Sequence, residues 1–120
     1  MIETHGLTHL NLEVSDPDRS LAFYQAMFGV REYHRDETGI QVQGPGEKDV
    51  IAFVRSDRAG MIGGISHFGF RLKSAADMAQ AIETAKSVGA LIVRHGEFSP
   101  GFPYLFVLDP DGYEIEIWYE

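Results

Sequence analysis

Two histidines stand at matching places in a stretch that this chain writes twice. GLTHLNLEV runs from Gly6 to Val14 and GISHFGFRL from Gly64 to Leu72, so His9 and His67 lie 58 residues apart. Near the end of the chain, YEIEIW carries two carboxylates, Glu114 and Glu116, in an alternating apolar run. Two imidazoles and one carboxylate hold a divalent cation on one side and leave other coordination positions open. A cation held that way keeps net positive charge, so it can polarise a bound oxygen or stabilise an enolate or alkoxide. Taken singly, a strand histidine is usually solvated or a satisfied core residue, and a glutamate in a terminal strand is usually solvated. Duplication lifts this set above that background. The remaining histidines lack such support: His5 reads as a terminal or rim residue, and His34 and His95 as strand ends facing water.

The elements that must position these groups also occur twice. In the first half a strand is expected from Gly6 to Val14, with Leu10, Leu12 and Val14 on one face and His9, Asn11 and Glu13 on the other. A helix follows, with Asp16 as its cap and Pro17 at the first position, where no N–H is needed. Leu21, Tyr24 and Phe28 form its apolar stripe, and Gly29 its stop. Short strands are expected over Val30–Arg35, Ile40–Gln43 and Val50–Val54. The second half predicts a strand over Ile65–Leu72, then a helix starting at Ser74 with Asp77 as capping-box partner. Met78, Ile82 and Ala85 make its buried stripe and Gly89 ends it; strands follow over Leu91–Arg94, Phe102–Leu108 and Tyr113–Tyr119.

The organisation is therefore one domain of two βαβββ modules, about 4–54 and about 64–120, joined by a polar, glycine-rich linker over about 55–63. A helix on one sheet face leaves the other face in need of a cover, so pairing of the modules is expected to create a shared concave surface. Phe68, Phe70 and Leu72 match Leu10, Leu12 and Val14 under the helices, which turns both histidines into that concavity. In the last strand Ile115 and Ile117 belong to the packing set, and Glu114, Glu116 and Trp118 to the concave side. The turn Asp109-Pro110-Asp111-Gly112 fixes the register of that strand.

Composition bounds the function. With 120 residues, 44% of them hydrophobic, the chain can bury a core; it has no apolar run long enough for a membrane and no signal-peptide pattern. Without cysteine there are neither disulfides nor thiolate metal sites, and a cytoplasmic protein is expected. A formal net charge of −8 argues against nucleic acid and anionic membranes as partners and slightly favours a cationic ligand.

On THLNLEVSDPDRSLAFYQAMFGV, SHFGFRL and FVLDPDGYEIEIW the chain resembles the vicinal oxygen chelate superfamily, over nearly its whole length. That group contains glyoxalase I, bleomycin-resistance proteins, fosfomycin-resistance transferases and extradiol dioxygenases. The resemblance implies an α+β fold in which paired modules form an open, mixed, barrel-like sheet around a central metal. It implies His9, His67 and Glu116 as ligands of one divalent ion, whether Fe, Mn, Ni, Zn or Mg. Glu116 lies seven residues after Asp109, the family spacing for the last ligand.

Departures from the family patterns narrow the activity. Glyoxalase I carries a fourth ligand on the last strand of the first half, where the expected register places Ala52 and a one-residue shift Ile51. Glu47 and Asp49 lie too early to replace it. The arginine that grips a glutathione carboxylate there is Glu13 here, which disfavours a glutathione adduct as substrate. Ring-cleaving dioxygenases and fosfomycin transferases carry a tyrosine where this chain has Phe106; Tyr104, on the same strand face, is the candidate catalytic hydroxyl. Asn11, Phe53, Phe106 and Trp118 are candidates for contacting substrate, with Phe23 a further aromatic that can pack within the helix layer alone.

The leading expectation is a metal-dependent lyase, isomerase or dioxygenase acting on a small oxygen-chelating substrate. The alternative is a drug-sequestering binder of the bleomycin-resistance type, and a third is a sensor or structural subunit that keeps the site passively. A homodimer is expected, with the modules paired within one chain or swapped between two.

Overall fold

The computed structural model describes residues 1–120 except 2, 4–6, 8, 47 and 120. His5, the strand start at Gly6, Thr8 and Glu47 thus fall outside the described residues. The chain forms two compact units, Met1–Ala59 and Gly60–Glu120, divided within the expected linker. Among the described residues each carries one four-stranded sheet and one α-helix, the α+β arrangement of two βαβββ modules.

In the first unit, β1 (His9–Val14) leads into α1 (Pro17–Phe28), followed by β2 (Arg31–Arg35), β3 (Gly39–Gln43) and β4 (Val50–Arg55). The Asp16 carboxylate accepts hydrogen bonds from the Asp18 and Arg19 N–H groups, so the helix starts where the sequence predicts. It ends at Gly29, whose φ of 65° is the left-handed conformation that closes a helix cheaply only without a Cβ. The sheet order is β1-β4-β3-β2, with β1 and β4 parallel and the other pairs antiparallel. One sheet face packs under α1, burying Leu12, Val14, Val42, Ile51 and Phe53 against Tyr24 and Phe23. Tyr24 is the centre of that core, with its ring 4.9 Å from Phe53 and 5.4 Å from Phe23.

The second unit repeats this plan: β5 (Phe68–Arg71), a 3-10 turn at Ala75–Asp77, α2 (Met78–Ser87), β6 (Leu91–Glu97), β7 (Pro103–Leu108) and β8 (Glu114–Trp118), in the order β5-β8-β7-β6. Its helix begins later than predicted. The Ser74 hydroxyl accepts from the Ala76 N–H, and the Asp77 N–H bonds the Ser74 carbonyl, so the first turn winds as 3-10 and the α-helix starts at Met78. Met78 and Ala85 are buried against the sheet, with Leu105, Val107, Ile115 and Ile117 beneath them.

Both units also share a feature that alternation alone does not reveal. The register of β2 on β3 slips between Glu32 and His34, and that of β6 on β7 between Ile92 and Arg94, leaving Tyr33 and Val93 as extra residues at equivalent places. A bulge of this kind turns every later side chain of the strand to the other face. β6 consequently runs on to Glu97 instead of ending at Arg94, and His95 lies within a strand, exposed, not at its end.

Candidate metal centre

The helix-free face of the second sheet gathers the groups that could do chemistry. Phe68 pairs with Ile115 on the helix side, so Gly69 and Glu116 are register partners on the opposite face. Phe106 lies across from Glu116, and Tyr104 across from Trp118, on that same face. His67, just before β5, brings Nε2 to 3.3 Å from Glu116 Oε2, while Ser66 Oγ sits 3.1 Å from His67 Nδ1. The Glu116 side chain is 16% exposed and that of His67 37%, so the pair is shielded yet reachable.

This spacing suits a shared cation. Two donors each ~2.0–2.2 Å from one ion, at right-angled to tetrahedral separation, stand roughly 3–3.5 Å apart. A hydroxyl on Nδ1 orients the ring and leaves Nε2 as the coordinating nitrogen, the usual way in which an outer hydrogen bond fixes a ligand histidine. The chemistry and spacing of this donor pair therefore fit a divalent metal. His9 opens β1 of the other unit, exposed, on the face with Asn11 and Glu13. Among the described residues of either unit, no group of three or more His, Asp or Glu side chains is arranged to hold a metal ion.

The first sheet settles which of its residues share that face. Asn11 pairs with Ala52 and Leu12 with Phe53, in parallel register. Ala52 is the counterpart of Glu116, since each is the register partner of the residue two beyond the repeated histidine. The first unit thus has a methyl group where the second has its carboxylate. Ile51 is buried on the helix side, and Asp49 precedes the strand. Glu13 is ion-paired with Arg58.

Two of the expected contact residues lie elsewhere than predicted. Phe53 is fully buried against Tyr24 on the helix side, opposite to Asn11, because its pairing with Leu12 puts it in the core; it is a packing residue. Tyr104 is on the expected face, but its ring leans toward β6. A Cβ placed on Gly96 would be 3.1 Å from Tyr104 Oη, and the ring stacks on Phe98 at 4.4 Å. Since β7 separates β6 from β8, the phenol is directed away from Glu116. Phe106, by contrast, sets its ring edge-on to His67, with centroids 5.2 Å apart. Trp118 lies across Gly69, where a Cβ would be 3.4 Å from the indole Nε1. Phe23 packs within the helix layer, edge-on to Tyr24.

Sequence reasoning missed Ser66, Arg94, Phe98 and Phe102. The matched Thr8 and Ser66 before each histidine were the available signal for Ser66. The Arg94 guanidinium stacks 3.7 Å from the Phe106 ring centroid and reaches Glu114 at 3.0 Å, which seats a cation on the helix-free face. The bulge at Val93 puts it there, and period-2 reading assigns it to the other side. Phe98 and Phe102 border a cavity of about 450 Å³ whose other lining residues are Ser99, Glu116, Trp118 and Tyr119.

Comparison with known proteins agrees with this plan. The sequence profile of the glyoxalase/bleomycin resistance protein/dioxygenase superfamily matches residues 6–117. The uncharacterized protein PA2024 of Pseudomonas aeruginosa is 34% identical, over 94% of this chain and 87% of that protein. A glyoxylase/bleomycin resistance protein/dioxygenase domain from Frankia superposes with a TM-score of 0.78 at 22% identity, covering 98% of each chain. A mutant of the fosfomycin resistance protein FosX from Listeria monocytogenes, complexed with Mn(II) and a dihydroxypropylphosphonic acid, superposes with a TM-score of 0.79 at 19% identity, over 96% of this chain and 90% of that one. A repeated βαβββ unit, the repeated histidine and the profile match over nearly all its length together place this chain in the glyoxalase/bleomycin resistance protein/dioxygenase superfamily.

Proposed function

We propose that the protein is a divalent-metal-dependent enzyme of the lyase, isomerase or dioxygenase type, acting on a small substrate that chelates the metal through oxygen. His9, His67 and Glu116 would hold the ion. The observation that carries this reading is the 3.3 Å approach of His67 Nε2 to Glu116 Oε2, with Ser66 on the far side of the ring. His9 would complete the set when the two modules pair, within one chain or across a homodimer. Support comes from its repeat-equivalent position on β1 and from the helix-free sheet face that each unit leaves for a partner.

Bound there, the metal would supply Lewis-acid stabilisation of a developing oxyanion. The chain's own residues set the surroundings. Phe106 packs against His67 and excludes water from one side of the donor pair. Asn11, exposed two residues beyond His9, offers a carboxamide to a substrate oxygen. Trp118 supplies an apolar wall, and Tyr104 acts by backing Phe98. Ala52 in place of a second carboxylate, and Glu13 in place of a cation, turn the activity away from glutathione-dependent glyoxalase I. Without cysteine, a cytoplasmic setting is the natural one.

Metal content before and after chelator treatment tests the reading. Stoichiometric metal in the wild type, lost in His67→Ala and Glu116→Gln, is expected, together with turnover of a catechol, 2-oxoaldehyde or epoxide by the metal-loaded protein. Absence of metal binding after reconstitution with each of Fe(II), Mn(II), Ni(II), Zn(II) and Mg(II) refutes it. The charge of −8 favours a second reading, sequestration of a cationic drug without catalysis. Tight drug binding by metal-free protein that turns nothing over would establish that instead.

A further inference from the structure

The cavity beside Glu116 has a lining that the metal centre alone does not explain. Of its six described lining residues, four are aromatic (Phe98, Phe102, Trp118, Tyr119), one is Ser99, and one is the carboxylate Glu116. Phe98 and Phe102 are 61% and 42% exposed, large apolar surfaces left open to water. Grouped with Trp118 and Tyr119 around one cavity, they form a contiguous apolar surface of the kind that marks a binding site.

The rings are held in place by the sheet. Tyr104 stacks behind Phe98 at 4.4 Å and an interplanar angle of 29°, and Phe106 sets its edge against Tyr104 at 5.7 Å. Phe98, and not Tyr104, lines the cavity, so the ring face away from Tyr104 is the one presented. Two glycines make the room. A Cβ on Gly96 would crowd the Tyr104 phenol at 3.1 Å, and a Cβ on Gly69 would meet the Glu116 carbonyl at 3.0 Å and Trp118 Nε1 at 3.4 Å. The hairpin bearing Phe98 and Phe102 is closed by Phe98 N–H to Phe102 O at 3.0 Å and by Gly101 N–H to Glu97 Oε1 at 3.3 Å.

We infer that this cavity binds a planar, uncharged aromatic molecule, with its ring against Phe98, Phe102 and Trp118 and an oxygen substituent directed at Glu116. Its volume of about 450 Å³ is ample for one or two fused rings. Offset or edge-on packing against fixed rings adds to simple burial and favours a flat partner over an aliphatic one of equal size. The charge balance selects a neutral ligand. Arg94 is engaged by Phe106 and Glu114, no cation stands among the described lining residues to meet an anion, and Glu116 already faces His67. The inference rests on the proposed metal centre only for the direction of the oxygen.

Calorimetry on the full chain, chelator-treated and metal-loaded, tests this with 2-naphthol, cyclohexanol and tetramethylammonium as probes. Because Trp118 is the single tryptophan, its indole N–H gives one NMR resonance that an adjacent aromatic ring displaces. The expected result is 2-naphthol binding at least tenfold tighter than either other probe, with that resonance shifted. Phe98→Ala and Phe102→Ala should each weaken it about five- to tenfold, while Lys73→Ala, outside the cavity, leaves it unchanged; all three positions are exposed, so folding is preserved. Equal affinity for cyclohexanol, tighter binding of tetramethylammonium, or unchanged affinity in both Phe variants overturns the inference. Naphthol binding in a protein that takes up no metal would leave it standing and sink the metal reading; the converse pattern would do the reverse.

Discussion

Asp109→Ala is the perturbation whose cost the structure specifies most closely. Asp109 is 5% exposed, and one carboxylate oxygen accepts the N–H groups of Asp111 and Tyr113, each at 2.9 Å. The turn it organises sets the register of β8 on β7, and so the position of Glu116 opposite Phe106. Alanine removes the acceptor and leaves both donors. The Tyr113 N–H is buried, so its loss costs the full desolvation of an orphaned donor, about 2 kcal/mol. The Asp111 N–H is part-buried and recovers some hydration, so it costs about 1 kcal/mol. The total, about 3 kcal/mol, is a large share of the roughly 5–15 kcal/mol that stabilises a domain. With a urea slope of about 1.5 kcal/mol/M, the midpoint falls by about 2 M. The turn should persist, because Gly112 N–H still bonds the Asp109 carbonyl at 3.0 Å and Asp109 N–H the Tyr113 carbonyl at 2.9 Å. Asp109→Asn keeps an acceptor and should restore more than half of the loss. Urea unfolding of the three proteins decides the matter: an alanine variant within 0.5 kcal/mol of wild type, or one indistinguishable from the asparagine variant, would refute this account of the turn.

Other outcomes follow from the same structure. Metal at a concentration 100 times its dissociation constant should stabilise the wild type by about 2.7 kcal/mol in thermal unfolding, and should not stabilise Glu116→Gln; equal stabilisation of both removes Glu116 from the ligand set. Hydrogen bonds from the Thr38 hydroxyl, then the Thr38 and Gly39 N–H groups, hold the Asp36 carboxyl down at about 2 from an ordinary 3.8. Its contribution is therefore present above pH 3.8 and lost as the pH falls toward 2; an NMR titration midpoint near 3.8 would contradict the Asp36–Thr38 geometry. Tyr24→Ala empties the centre of the first core and should cost about 3–5 kcal/mol, read from chemical denaturation; a cost under 1 kcal/mol would mean that α1 packs otherwise.

Much of this protein follows from chain-local physics. Asp16 and Pro17 start α1 and Gly29 stops it, because a cap, a missing N–H and a left-handed φ act within a few residues. The DPDG turn is equally local. The two-module plan was legible because duplication repeats those local signals 58–60 residues apart. Glu116 and Trp118 could be assigned to one face with Phe106 because each of β7 and β8 alternates regularly and their pairing carries no bulge from Tyr104–Trp118 to Leu108–Glu114.

What no local pattern carries is where a strand slips or which way a ring leans. A bulge depends on the partner strand, so the extra Val93, and with it the seat of Arg94 over Phe106, appears only when β6 is laid on β7. Phe53 could be read as a wall of the site until its pairing with Leu12 put it under Tyr24. The start of α2 gave way likewise, because the Ser74 hydroxyl caps Ala76 and tightens the first turn. The sequence by itself determined the duplicated modules, both ends of α1, the stop of α2 at Gly89 and the repeated histidine. Tertiary structure decided that His67 and Glu116 meet, that Tyr104 turns away from them, and that a cavity of aromatic rings opens beside the carboxylate. The reason is physical: caps and turns are fixed by bonds between near neighbours, whereas register and ring orientation are fixed by side chains that only the folded sheet brings together.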